Sequence, residues 1–260
     1  TMGYEFSILL ITLGLLLGML VLLEIGRSIG NRQLKVDAEG ARAGTGTIEG
    51  AVFALLGLLI AFTFSGAAAR FEDRRALIIE ETNDIGTAYL RLDLLPASAQ
   101  PALRDLFRRY VDSRLEVYRK LPDLEAAKTE LARSVALQGE IWTQAVAAGQ
   151  LENAPPSATM LLLPALNQMI DITTTRTMAA QMHPPRAIFA MLFGLALAGA
   201  LLAGYGMAGG KSHNWLHMIG FAVVISLAVY VILDIEFPRL GLIRVNAFDQ
   251  ALVDLQASMK

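Results

Sequence analysis

Four apolar runs constrain this chain more than any other feature of its sequence. They lie in two pairs on either side of a long polar middle, and they cover residues 6–23, 50–69, 187–210 and 214–233. None of the four contains Asp, Glu, Lys or Arg. Each is close to the length that a helix needs to cross a hydrocarbon core of roughly 30 Å. The pattern therefore predicts an all-α, polytopic membrane protein with four transmembrane helices and a helical soluble domain inserted between helices 2 and 3.

Composition supports a partner made of lipid rather than nucleic acid. The mean hydropathy is +0.48, and the formal net charge of -2 offers no basic surface for a phosphate backbone. The chain has no cysteine, which excludes disulfides and thiolate metal sites. No Lys or Arg precedes the first apolar run, so we interpret that run as a retained membrane helix and not as a secretion signal. The glycines and basic residues that follow it, among them Gly26, Arg27 and Gly30, predict a flexible connector to the second run.

The second apolar run does not stop where its apolar character ends. Its helical pattern continues into the charged sequence beyond residue 69 and meets its first proline at Pro96. A single helix from 48 to 95 would be about 70 Å long at 1.5 Å per residue, which exceeds the thickness of a bilayer. We therefore expect the second helix to extend into water as a stalk.

The remaining polar sequence is also expected to be helical. Proline and glycine punctuation predicts elements starting near Pro101 and Pro122, one ending at Gly149, and one from about 157 to 182 that Pro164 should kink or break. No segment shows sustained alternation, so no sheet is expected. The predicted division is 1–69 for the first membrane helix pair, 70–185 for the soluble domain, 186–235 for the second pair and 236–260 for an amphipathic tail.

Small residues recur every three to four positions along the second run. They are Ala54, Gly57, Ala61, Ser65 and Ala68. Such a face allows helices to pack closely, and it also suits a pore lined by several copies of the chain. Aromatic residues that could constrict that pore, or face lipid instead, are Phe53, Phe62 and Phe64.

Polar residues follow on the same helix and on the one before the third run. Glu72, Asp73, Glu80 and Asp84 could attract cations to a pore mouth. In the competing interpretation these four acids, together with Glu81 and the neighbouring arginines, belong to a solvated, salt-bridged stalk. Asn83 and Thr87 are matched by Asn167 and Asp171 on the later helix, and we expect these two sets to meet in a buried hydrogen-bond network, with an oxygen-ligand cation site as the alternative.

No motif indicates catalysis or a bound cofactor. The sequence lacks a nucleophile elbow, a zinc-protease motif and a phosphate-binding loop. His213 and His217 have a spacing that can share a metal, but no third ligand lies nearby, so we interpret them as membrane-interface residues. Neither an enzyme nor a metalloprotein is expected.

Three stretches resemble the bacterial bestrophin-like domain family. They are TIEGAVFALLGLLIAFTFSGAAARFEDRRALIIEETNDIGTAYLRLDLLP, LLLPALNQMIDITTTRT and ILDIEFPRLGLIRV. The resemblance extends over nearly the whole chain and implies a relation to bestrophins, which are pentameric ion channels with four membrane helices and a cytosolic helical domain. In bestrophins the second membrane helix lines the pore. The dense acidic run of their calcium clasp is absent here.

The resemblance implies a homo-oligomeric channel, pentameric by analogy, whose second helix lines a pore for inorganic ions. The acidic residues Glu72, Asp73 and Glu80 would bias the mouth of that pore towards cations. The bacterial inner membrane and a cytoplasmic soluble domain follow from the same resemblance. Arg and Lys near the span ends are almost equally divided between the two sides, so charge does not fix the orientation. The competing interpretation is a non-conducting membrane scaffold or sensor that recruits a partner through its soluble domain.

Overall fold

The computed structural model describes residues 2–37, 39, 45–210, 214–239, 241–243 and 245–259, and within these ranges it contains helices and no strand. The helices are α1 (Met2–Val36), α2 (Thr45–Leu90), α3 (Gln100–Arg119), α4 (Leu124–Gly149), α5 (Pro156–Gln181), α6 (Arg186–Gly206), α7 (Trp215–Glu236) and α8 (Gln250–Ser258). Short 3₁₀ turns follow α2 at Arg91–Leu94 and precede α8 at Asn246–Asp249. The expectation of an all-helical chain is met over the described residues.

The chain forms two compact units. The apolar unit comprises Met2–Ala69 and His183–Phe237, and the polar unit comprises Arg70–Met182 and Pro238–Lys260. In the described residues, four helical stretches are long and apolar enough to cross a membrane, and they contain most of each of the four runs read from the sequence. The protein is therefore a multi-pass membrane protein by the length and composition of its helices.

Close backbone contact between α1 and α6 organises the apolar unit. A methyl group on Gly26 would overlap the Leu201 carbonyl, and one on Gly204 would overlap the backbone of Leu23. Gly30 approaches Tyr205 in the same way. Glycine at these positions lets the two helix backbones approach more closely than side chains would permit.

This packing corrects one expectation from the sequence. The glycines and basic residues after the first apolar run suggest a flexible connector, but α1 continues as a helix to Val36. Gly26 and Gly30 are packing positions within that helix, and Arg27 between them is buried. The sequence shows the spacing of these glycines, but it does not show that α6 is the helix that packs against them.

The α2 helix is continuous from Thr45 to Leu90, which confirms the prediction of one helix that outruns its apolar segment. Its buried positions, apart from Tyr89, recur at spacings of three, four or seven residues and lie on one side of the helix: Leu56, Thr63, Ala67, Arg74, Ile78, Glu81, Ile85 and Ala88. The first three belong to the apolar unit and the others to the polar unit. Each unit therefore holds its own part of α2 by the same stripe.

In the polar unit, α3 packs against α4, and α4 packs against α5. The Asp123 carboxylate caps α4 by accepting a hydrogen bond from the Ala126 N–H at 3.0 Å. The α5 helix runs through Pro164 without ending, so the helix does not break at that proline, and the kink that was the other expected outcome stays a prediction. Proline removes one backbone hydrogen bond, and the packing of Leu162, Ala165 and Leu166 in the core holds the helix together.

The C-terminal segment belongs to the polar unit. Leu252 of α8 is fully buried and joins the same core cluster as α3 and α5. The narrow apolar stripe of the tail is therefore used for docking within the chain itself.

Replacing Gly204 with Ala should lower the apparent melting temperature of the detergent-solubilised protein, because the new methyl group meets the Leu23 backbone, which cannot move aside as a flexible side chain would. Overpacking of this kind costs about 1–3 kcal/mol. Gly194→Ala is the matched control on the same helix, since an added methyl group there has nothing within 4 Å. Equal melting temperatures for the two variants would contradict the close packing of α1 and α6.

Candidate pore-lining face and buried ion pairs

The small-residue face of α2 is exposed in the chain. Ala54, Gly57, Ala61 and Ser65 are exposed and Ala68 is partly buried. A methyl group added to Gly57 would have no neighbour within 4 Å. Because these residues lie on the side of α2 away from its buried stripe, close packing inside one chain does not account for them.

The α2 helix is also the least covered of the membrane-length helices in the described chain. Only 17% of the residues in its most apolar stretch are buried, against 39% for α7. In the apolar unit, Phe53 and Leu56 approach Gly199 of α6. A helix held along one side in this way leaves its opposite side to lipid, to water or to another copy of the chain.

The three aromatic residues considered for a constriction have different surroundings. The Phe53 ring packs edge-on against Phe221 of α7, with ring centroids 5.8 Å apart. This contact turns Phe53 into the apolar unit and argues against a place in a pore. Phe62 and Phe64 are exposed, at 68% and 44% of their surface, so a constricting role stays a prediction for those two.

The acidic residues after the apolar run are mostly exposed. Glu72 accepts a 2.6 Å ion-pair contact from Arg75, while Asp73 and Glu80 are exposed. Asp84 is partly buried, and this burial, followed by repulsion from Glu80, raises the pKa of its carboxyl group. Glu72, Asp73 and Glu80 therefore present the accessible negative charge, and Asp84 carries its charge less readily.

The predicted polar network is not formed between the expected residues within one chain. Asn83, Thr87, Asn167 and Asp171 are all exposed, and no hydrogen bond found among the described residues joins them. Their mutual contact stays a prediction. An oxygen-ligand metal site gains no support, since no group of three His, Asp or Glu that could hold a metal occurs in the described part of the chain. His213, of the histidine pair considered earlier, lies outside the described residues.

A different set of side chains forms a buried network in the polar unit. The Gln138 amide donates to the Tyr110 hydroxyl at 3.0 Å and to the Thr173 hydroxyl at 2.9 Å, and the two hydroxyls are 3.1 Å apart. Thr173 lies beside Thr174, which shares the face of Asn167 and Asp171 in the sequence. Because adjacent residues of a helix point in different directions, Thr173 is buried in this network while Thr174 is exposed.

Glu81 is the functional candidate that sequence analysis misplaced. We grouped it with a solvated stalk, but its side chain has no exposed surface. One oxygen accepts from Arg114 Nε at 2.5 Å, and the other pairs with Arg176. The signal was present in the sequence, because Glu81 falls at the spacing of Ile78, Ile85 and Ala88 on an otherwise apolar stripe.

Arg74, on the same stripe, holds the end of α5. Its guanidinium donates to the Ala179 carbonyl at 3.1 Å and to the Met182 carbonyl at 2.9 Å. The last carbonyls of a helix lack partners within the helix, and a cation is favoured there by the helix dipole. Arg74 and Glu81 thus attach the C-terminal part of α2 to α3 and α5 through buried polar contacts.

Comparison with known proteins identifies the family to which this chain belongs. The family model for the bestrophin-like domain matches residues 13–247, which is most of the sequence. The chain is a member of the bestrophin-like domain family. No curated protein matches it.

Solved structures of a bacterial bestrophin homologue from Klebsiella pneumoniae show the same fold. A tryptophan-to-alanine variant has a TM-score of 0.66 and 16% identity, and the match covers 95% of this chain and 98% of that one. Isoleucine-to-threonine and tyrosine-to-alanine variants each have a TM-score of 0.60 and 15% identity, with 92% of this chain and 98% of theirs covered. At such identities, the likeness establishes the bestrophin fold and leaves ion specificity to be argued from this chain.

Replacing Glu81 with Gln should destabilise the fold by about 3–5 kcal/mol, because two buried arginines lose their counter-charge. Glu80→Gln is the matched control, since the neighbouring carboxylate is exposed and should change stability by no more than about 0.5 kcal/mol. Thermal unfolding of the purified variants measures the difference. Similar melting curves for both variants would show that the Glu81 ion pairs do not support the fold.

Proposed function

We propose that this bestrophin-like protein is the subunit of a homo-oligomeric ion channel of the bacterial inner membrane, with α2 lining the pore. The observation that carries the proposal is the exposed small-residue face of α2, formed by Ala54, Gly57, Ala61 and Ser65. Its own chain leaves this face uncovered, as the open space around Gly57 illustrates. In a ring of copies, by analogy a pentamer, the same face would surround an axis.

Small side chains suit that position for a physical reason. A pore needs free cross-section along its axis, and Ala, Gly and Ser occupy the least volume next to a helix backbone. A ring of Ser65 hydroxyls would offer oxygen atoms to a partly dehydrated ion. Phe62 and Phe64 border this face and would narrow the passage or contact lipid.

The acidic residues beyond the apolar run support a preference for cations. Glu72, Asp73 and Glu80 are exposed on α2 and would recur in every subunit around the mouth. Rings of like charge concentrate counter-ions and raise the entry rate of ions of opposite sign. The ion pair of Glu72 with Arg75 reduces this field without removing it, because Asp73 and Glu80 also contribute.

A non-conducting scaffold or sensor is the second candidate, favoured by exposed apolar side chains on the polar unit. Met160, Met182 and Leu124 are 75%, 63% and 61% exposed. Such residues could receive a protein partner. A scaffold requires no axial path and no ion flux, which separates it from the channel experimentally. In both proposals the polar unit faces the cytoplasm.

Proteoliposomes containing the purified protein should pass alkali cations down a gradient, and Ala61→Phe or Ser65→Phe should reduce that flux by an order of magnitude or more, because a bulky ring at each subunit fills the axis. Leu55→Phe is the control, since Leu55 lies on the same helix but on a different side from Ala61 and Ser65. Stability must be measured beside flux, because the scaffold proposal expects no flux in the wild type. Unchanged flux in folded Ala61→Phe and Ser65→Phe proteins would remove α2 as the lining.

Glu72→Lys should lower the preference for cations over anions, since each subunit would replace an acid at the mouth with a base. The measurement is the reversal potential of reconstituted channels in asymmetric salt, which should shift towards the anion equilibrium potential. The effect should weaken as ionic strength rises. Glu140→Lys makes the same charge change at an exposed site on α4 and should leave the reversal potential in place. Equal shifts for both variants would show that only net charge matters.

A further inference from the structure

Three guanidinium groups surround the ring of Tyr118 in the polar unit. Those of Arg114, Arg176 and Arg239 lie 5.3, 4.4 and 4.2 Å from its centroid. Arg114 and Tyr118 are on α3, Arg176 is on α5, and Arg239 follows α7 in the chain. Cations stack favourably on an aromatic face, but three of them within this range repel one another.

Two carboxylates face these three cations. Glu81 divides its oxygens between Arg114 and Arg176. Both carboxylate oxygens of Asp249 accept hydrogen bonds from Arg239, at 2.7 and 2.9 Å. Among the described side chains of this cluster, three positive charges therefore stand against two negative ones, and one positive charge is uncompensated.

Protonation does not remove that excess at neutral pH. Burial, and then repulsion from Arg239, lowers the pKa of Arg176 to about 9, so the group is still charged at pH 7. Burial raises the pKa of the Tyr118 phenol, so its hydroxyl stays neutral and supplies no negative charge. The cluster keeps a net positive charge in a site that water reaches poorly.

The hydrogen-bond donors of Arg114 show where the missing charge would bind. Nε donates to Glu81 at 2.5 Å, and Nη2 donates to the Tyr118 hydroxyl at 2.6 Å. Nη1 is buried and has no hydrogen-bond partner, although the side chain as a whole is only 1% exposed. A buried donor without an acceptor costs free energy, and more so on a charged group.

We propose that the polar unit binds a small monovalent anion such as chloride at Arg114 Nη1, within the cluster of Arg114, Arg176, Arg239 and Tyr118. One negative charge balances the excess, and a spherical acceptor satisfies the free N–H groups without requiring the geometry of a carboxylate. A divalent phosphate would overcompensate the charge, and a metal cation would be repelled. The site is separate from the α2 face and does not depend on ion conduction.

Chloride should therefore stabilise the purified protein in a saturable way. Replacing gluconate with chloride at constant ionic strength and pH 7 should raise the apparent melting temperature by about 3 °C or more once the site is filled. Arg176→Gln removes the excess charge while keeping a hydrogen-bond donor for Glu81, and it should abolish this dependence. Arg109→Gln, an exposed change on α3, should retain the wild-type dependence.

Bromide provides a direct measurement that needs no variant. Anomalous scattering from wild-type crystals grown in bromide should show a peak within hydrogen-bonding distance of Arg114 Nη1. A water molecule there and no anomalous peak would overturn the proposal, and so would a melting temperature indifferent to chloride. A chloride dependence of equal size in Arg176→Gln would show that the anion binds elsewhere. Loss of ion flux in liposomes would not affect these results, so the two proposals fail independently.

Discussion

The α2 helix is constrained by a single buried stripe whose residues recur at spacings of three, four or seven. Leu56 and Ala67 hold this stripe in the apolar unit, and Ile78 and Ile85 hold it in the polar unit. Helical geometry fixes the direction in which each side chain leaves the axis. Burying this stripe therefore determines which residues face outward. The outward face then contains the small residues of the apolar run and, beyond it, exposed acids. The proposed pore, its acidic mouth and the predicted effects of bulky residues all depend on that one constraint.

Buried charge gives the polar part of α2 its position. Glu81 lies on the apolar stripe, where an unpaired carboxylate would cost several kcal/mol, and it is accommodated because Arg114 and Arg176 bind its two oxygens. The same arginines meet Tyr118 and Arg239 and leave a positive charge in excess. A cluster that fixes the helix by ion pairs is therefore also suited to bind an anion. Hydrophobic contacts alone would hold α2 without creating such a site.

The features that depend on local pattern were predictable from the sequence. The four apolar runs, the unbroken α2 and the end of α4 at Gly149 follow from hydropathy, helical period and turn residues. Features that depend on a partner distant in the sequence were not predictable. In the sequence Gly26 indicates flexibility, but in the fold it packs against the Leu201 backbone. Glu81 is expected to be solvated, but in the fold it is buried against Arg114 and Arg176. The exposed α2 face could be listed from the sequence, but only the fold shows that its own chain does not cover it.

The most direct test of the central claim uses the absence of cysteine from the chain. Single cysteines at Ala54, Gly57, Ala61 and Ser65, each treated with a charged, water-soluble thiol reagent in reconstituted vesicles, report whether these positions lie on a water-filled path. If α2 lines the pore, modification at these positions should reduce ion flux, whereas modification of cysteines at Leu55 and Leu59, on another side of the helix, should leave the flux unchanged. Two results would contradict a pore lined by α2. One is that the reagent reduces flux equally at the small-residue positions and at Leu55 and Leu59, and the other is that none of the four small-residue positions reacts in a protein that conducts ions.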